Sequence, residues 1–222
     1  MTDTPQTPGA AAGERTGGDG PRPDHDGLVQ HGDGLLRCWW CGDDAAYVAY
    51  HDTEWGRPVH DEERLFEKLC LEAFQAGLSW LTILRRREAL RAAFAGFDPE
   101  RVAAFTDRDV GRLLDDTSIV RNRAKIVATI DNARALCELR RRGVHLGALV
   151  WSFAPEPSAR PGRPEEVPAR TAASAALASS LKDHGFRFVG PVTAYAFMQA
   201  MGLVDDHLEG CHVPPAATGP QP

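Results

Sequence analysis

The sequence predicts an all-α domain, on two observations. Apolar residues recur at three-to-four spacing in one segment after another, which is the period of a helix face. Most of those segments open on a residue suited to cap a helix N-terminus, and several close on glycine. No run alternates apolar and polar residues for long enough to read as a strand, and Phe186-Arg187-Phe188 is too short to insist on.

The elements follow in order. Asp43 is placed to cap a short helix through Tyr47, Tyr50 and His51. Asp61 opens the next, with Leu65, Phe66, Leu69, Cys70 and Phe74 at helical spacing. Gly77 interrupts it, and Ser79 caps a third helix carrying Trp80, Ile83, Leu84 and Phe94. Asp98-Pro99 is a cap followed by the favoured first-turn proline. Thr106-Asp107-Arg108-Asp109 has the form of a capping box with Asp in place of Glu, ahead of Val110, Leu113 and Leu114. A brief connection from Asp115 to Val120 leads into a long helix over about Arg121 to Arg142, with Ile126, Ile130, Ala133 and Cys137 on one face and Gly143 as its stop. Residues Ala154 to Pro168 are proline-rich and read as a loop. Thr171 caps a helix with Leu177 and Leu181 that ends at Gly185. Gly190-Pro191 begins the last, which carries Tyr195, Met198 and Met201 and closes at Gly202.

Composition divides the 222 residues into three. Residues 1–34 are rich in Gly, Pro, Asp and Thr and nearly lack large apolar side chains. They cannot bury enough surface to offset their ordering entropy, so a disordered tail is expected. Residues 35–212 form one domain of a size that supports a real core. Residues 213–222 are expected to be a flexible C-terminal tail. No secretory signal and no membrane-length apolar run is present, and five scattered cysteines argue against a disulfide framework. A cytoplasmic monomer with no membrane association is the expectation. Cys70 and Cys137 fall on apolar helix faces and are read as small core residues. The formal net charge is −6, but residues 1–34 hold six acids against two bases. The domain is therefore close to neutral, and its bases are clustered, so one basic face for nucleic acid is not excluded.

Four constellations carry chemistry. The first is Cys38-Trp39-Trp40-Cys41 with His51, set against His207-Leu208-Glu209-Gly210-Cys211-His212. Cys38, His51, His207 and Cys211 would make the closed four-ligand set that zinc favours in structural sites. The Cys38-x-x-Cys41 spacing also allows Cys38, Cys41, His51 and His207, and spacing alone does not decide. The second is aromatic: Trp39, Trp40, Tyr47, Tyr50 and Trp55 fall within seventeen residues, with Trp80 beyond, enough to box a planar ring. The third is Glu72, which interrupts an apolar helical face and needs a specific partner if buried. The fourth is Arg121-Asn122-Arg123-Ala124-Lys125, directly after a tight connection. Cations at a new helix N-terminus suit a phosphate backbone better than they suit the helix itself.

From about Arg37 to Cys211 these residues resemble the bacterial 3-methyladenine DNA glycosylase I family. The matching segments are Tyr47 to Gly56, Leu71-Glu72 with Gln75 to Trp80, Ile119 to Ile126, Val150 to Phe153, Phe186 to Gly190, and Gly202 to His207. The resemblance implies a helix-hairpin-helix glycosylase fold with one structural zinc joining the N- and C-terminal segments. It implies zinc ligands at Cys38, His51, His207 and Cys211, and a base pocket of Glu72, Tyr50, Trp80, Trp40, Trp55 and Tyr47 with Glu72 as the catalytic group. It further implies contacts from Arg121, Arg123 and Lys125 to the backbone of alkylated double-stranded DNA, and base removal without strand cleavage. Two positions depart from the family pattern: Cys41 stands where an apolar residue is commoner, and Thr117-Ser118 replaces a smaller pair in the hairpin turn.

Overall fold

A computed structural model describes residues 27–215. The predicted helices form in the predicted order, joined by one short unpredicted helix after the longest of them. They are α1 (Ala45–Thr53), α2 (Glu62–Gln75), α3 (Trp80–Ala93), α4 (Pro99–Ala103), α5 (Asp107–Asp115), α6 (Arg123–Arg141), α7 (Leu146–Trp151), α8 (Ala172–Asp183) and α9 (Pro191–Ala200). Among the described residues no helix is long and apolar enough to cross a membrane.

The caps do the local work. Asp61 accepts from the Arg64 amide, Ser79 from Thr82, and Thr171 from Ser174, each filling one orphan donor of a helix start. The capping box at Thr106 and Asp109 is formed. Helix α2 is the hub. It packs against α3, α6, α7 and α9, and nine of its fourteen residues are buried, all between Leu65 and Phe74. Around it Phe66, Phe74, Phe94, Phe97 and Phe197 are fully buried, each contributing about 2 kcal/mol through area removed from water. Two charged residues share this interior, Lys68 and Glu72.

Several expectations are corrected. Residues 28–30, assigned to the tail, form β1 (Leu28–Gln30), which pairs antiparallel with β2 (Leu36–Cys38) in the register Leu28 to Cys38. The domain therefore starts before residue 35; the rest of the expected tail, residues 1–26, lies outside the described residues. Val213, assigned to the C-terminal tail, is buried against Cys38, Leu208 and Cys211, while residues 216–222 lie outside the described residues. Asp44 rather than Asp43 caps α1, its Oδ1 accepting from the Ala46 and Tyr47 amides. Helix α6 begins at Arg123 because Asn122 takes the cap, leaving Arg121 outside the helix. Helix α7 was not foreseen. Cys70 is core as expected, but Cys137 is only half-buried.

Two glycines place the site. Gly77, at φ +81°, turns the chain sharply between α2 and α3. Gly202, at φ +73°, lets the chain after α9 pass so near Arg57 and Pro58 that a Cβ would sit 2.4 Å from Pro58 N. That close passage brings residues 203–211 back over the end of α1.

Candidate active site and metal centre

The aromatic residues and Glu72 converge on one cavity of about 250 Å³, lined by Trp39, Trp40, Tyr47, Tyr50, Trp55, Glu72 and Trp80, with Gln75, Gln199 and Asp206 among the rest. Trp40 is the centre of the aromatic packing. Its ring lies 4.9 Å from Trp55 and 5.3 Å from Tyr47, and Tyr50 lies 5.3 Å from Trp80, in the tilted and edge geometries that aromatic pairs prefer. Every base-pocket residue expected from the sequence is therefore in this cavity.

Glu72 is 4% exposed, so it is buried and the demand for a specific partner applies. Its Oε1 lies 2.8 Å from Lys68 Nζ, while Oε2 is buried with no hydrogen-bond partner. Lys68 Nζ also donates to the Tyr50 hydroxyl at 2.9 Å and lies 3.3 Å from the centroid of the Trp80 ring. The Trp80 indole N–H is likewise buried and without a partner. Burial, then the charge of Glu72, drives the Tyr50 phenol well above its ordinary range, and burial does the same to Tyr47, so both stay neutral donors. Burial pushes the Lys68 ammonium down, and Glu72 opposes that shift. An unpaired carboxylate oxygen and an unpaired indole N–H inside an aromatic cavity are costly unless a ligand with complementary groups completes them.

A second carboxylate lines the same cavity. Asp206 Oδ2 accepts from the Tyr195 hydroxyl at 2.6 Å and from Gln199 Nε2 at 2.8 Å. Both donors converge on one oxygen and fix the carboxylate's orientation.

The four metal-ligand candidates also converge. Cys38, His51, His207 and Cys211 are buried, and their ligand atoms lie within 4.8 Å of one another. Cys38 Sγ is 3.8 Å from His207 Nδ1, and Cys211 Sγ is 3.6 Å from both His207 Nδ1 and His51 Nε2. Ligands about 2.0–2.3 Å from a tetrahedral ion stand about 3.3–3.8 Å apart, so the set fits one ion. The outer contacts fit as well. His51 Nδ1 bonds Asp52 Oδ1 at 2.7 Å, and His207 Nε2 bonds the Trp55 carbonyl at 3.1 Å, which orients the other ring nitrogen of each toward the cluster. Arg37 and His212 also donate to Asp52. Hydrogen bonds from Cys38, then His207 and His51, hold the Cys211 thiol well below its usual value. Cys41 stands apart from the four, 4.0 Å from His31 Nε2, and burial pushes its thiol up to about 12. The cluster backs directly onto the cavity: the His207 ring is 4.7 Å from Trp55 and the His51 ring 5.1 Å from Trp40.

The basic residues of the α5–α6 connection do not all behave alike. Arg121 and Arg123 are exposed beside the start of α6. Lys125 departs from the expected backbone contact. It is buried, and its ammonium donates to the Phe74 carbonyl at 2.8 Å and the Ala76 carbonyl at 2.5 Å. It ties the C-terminal end of α2 to the first turn of α6.

Lys68, Gln75, Gln199 and Asp206 were not singled out from the sequence. Lys68 had a usable signal, since it precedes Glu72 by four residues and so shares its helix face. Asp206 stood inside a matching segment with no local feature to mark it.

The Methyladenine glycosylase family profile matches residues 40–214. The chain is 49% identical over 179 residues to DNA-3-methyladenine glycosylase 1 of Escherichia coli (strain K12), covering 80% of this chain and 96% of that protein. It resembles a crystal structure of 3-methyladenine DNA glycosylase I at a TM-score of 0.78 and 49% identity, covering 79% of this chain and 98% of that one. A structure describing 3-methyladenine recognition by the Staphylococcus aureus glycosylase I aligns with a TM-score of 0.76 at 35% identity, over 79% of this chain and 95% of that one. With the family profile covering most of the domain and the relatives matched over nearly their whole length, the chain belongs to the methyladenine glycosylase family.

Proposed function

We propose that this protein excises 3-methyladenine from alkylated double-stranded DNA by hydrolysing the N-glycosidic bond, leaving the strand intact. The observation that carries the reading is the buried, partnerless Oε2 of Glu72 within an aromatic cavity. Methylation at N3 gives adenine a positive charge and weakens its bond to deoxyribose, so the leaving group is already activated. Less acid catalysis is required and more selection. The nucleotide must leave the stack, at a cost of a few kcal/mol, and be held in a pocket. Glu72 Oε2 is suited to accept from the exocyclic amine of the base, a charge-assisted hydrogen bond. The rings of Tyr50, Trp80 and Trp40 supply stacking faces. As the C1′–N9 bond breaks, its electron pair stays with the base and cancels the charge, and water bonds to C1′ and gives up one proton to solvent. Asp206, held by Tyr195 and Gln199, is the second anion in the cavity and is suited to stabilise the cationic sugar.

Arg121 and Arg123 are the proposed backbone contacts, beside the exposed amides that open α6. The cluster of Cys38, His51, His207 and Cys211 is proposed to hold one structural zinc, since two thiolates and two imidazoles in a closed set suit that ion. The five cysteines form no disulfide, which supports a reducing cytoplasm. Incubation with alkylated DNA followed by chromatography tests the reading: free 3-methyladenine is expected without strand scission. Binding of 3-methyladenine with no base released from DNA would instead make the protein a binding module.

A further inference from the structure

One buried charge has no part in the scheme above. Lys68 is 5% exposed on α2, and a lysine there must give up nearly all its hydration. Its single ammonium touches Glu72 Oε1, the Tyr50 hydroxyl and the Trp80 ring, all three assigned to the base. It does not line the base cavity. It lines a smaller one of about 40 Å³, shared with Tyr50, Trp80, Glu54 and Arg87. Lys68 therefore braces the wall of the base cavity from behind.

Stability alone accounts poorly for this arrangement. A buried ion pair replaced by well-packed apolar residues is often neutral or stabilising. Leu65, Phe66, Leu69, Leu71 and Phe74 of α2 are buried around the pair, so aliphatic side chains at both 68 and 72 would suit the core. What the ammonium adds is orientation. A carboxylate with both oxygens unpartnered has no fixed rotation about its last torsion, which is broad. Contact at Oε1 removes that freedom.

We infer that Lys68 is a positioning residue for base recognition, holding Glu72 by Oε1 so that Oε2 alone meets the base, and bracing Tyr50 and Trp80 as one wall. The inference rests on the glycosylase reading. Phosphate contacts dominate affinity for DNA, so loss of Lys68 should act after DNA is bound.

The test compares wild type, Lys68→Met, Lys68→Gln, Glu72→Gln and the Lys68→Met/Glu72→Gln double variant. Wild-type release of base tests the reading on its own, before any variant is made. Lys68→Met is expected to lower kcat on alkylated DNA by roughly 10–100-fold, the scale of a charged hydrogen bond, with KM within about 3-fold. Its melting temperature is expected to fall below that of wild type, because Glu72 is left buried and unpaired, and to recover in the double variant, where no carboxylate is stranded. Lys68→Gln, which keeps a donor, should fall between the two and carries the same comparison if the methionine variant fails to fold. In the Glu72→Gln background Lys68→Met should cost several-fold less than it does in the wild-type background, whether read as excision or as affinity for free 3-methyladenine by tryptophan fluorescence. Full excision by Lys68→Met, or a loss of the same size in both backgrounds, overturns the inference.

Discussion

Glu72 carries two obligations that two substitutions can separate. Toward Lys68 it is half of a buried ion pair, and toward the cavity it presents an acceptor with no partner. Glu72→Ala removes both, and stranding a buried ammonium costs about 3–5 kcal/mol. For a domain of this size that lowers the melting temperature by roughly 10 °C. Glu72→Gln keeps an oxygen for Lys68 but removes the charge offered to the base. Its melting temperature should stay close to wild type, while kcat/KM on alkylated DNA falls by roughly 10–100-fold. Thermal unfolding beside single-turnover excision separates the two effects. Wild-type excision by Glu72→Gln would mean that the base is not held at this carboxylate.

At the scale of elements, the connection between α5 and α6 divides its cations between two jobs. Arg121 and Arg123 face solvent, whereas Lys125 closes the carbonyl end of α2. Carbonyls at a helix end lack intrahelical partners and attract a cation. Through Lys125 the connection carrying the proposed DNA contacts is bonded to the turn that leads to Trp80. Lys125→Met should therefore cost about 2–3 kcal/mol of stability, since its donor makes two bonds in a buried setting. It should leave the salt dependence of DNA binding unchanged. Arg121→Ala should do the reverse, sparing stability and lowering the slope of log K against log salt by about 0.9. A salt slope altered by Lys125→Met and untouched by Arg121→Ala would reverse the assignment. The same division marks what could be read beforehand. Caps such as Asp61, Ser79 and Thr171 were legible because each bonds within its own turn. The hairpin was not, because three-residue strands give no periodicity. Lys125 was not, because its partners are carbonyls some fifty residues away and carbonyls carry no sequence signal. Glu72 was legible as a site residue because a carboxylate on an apolar face demands a reason. Asp206 lay in a loop where an acid is ordinary.

The whole molecule is joined at the Cys38, His51, His207 and Cys211 cluster, which draws on β2, on α1 and on the segment after α9. Trp40 and Trp55 separate it from the base cavity by a single layer of rings, so the cluster fixes one wall of the cavity rather than taking part in chemistry there. Four protein ligands would leave a bound ion no open position for a reactive water. The helices around α2 share a hydrophobic core that includes none of the four cluster residues. Removing the proposed zinc should therefore act locally. A strong chelator is expected to leave far-UV helicity at 25 °C nearly intact. It should lower the melting temperature, because an ion that binds only the folded state stabilises by mass action. Tryptophan fluorescence should change as Trp40 and Trp55 loosen, and affinity for 3-methyladenine should fall by roughly 10-fold, about one hydrogen bond's worth of positioning. Added zinc should restore all three. Elemental analysis should find one ion per chain, and none in Cys211→Ser. A chain that carries no metal as purified, or whose base affinity survives complete chelation, would show that the wall stands without the ion.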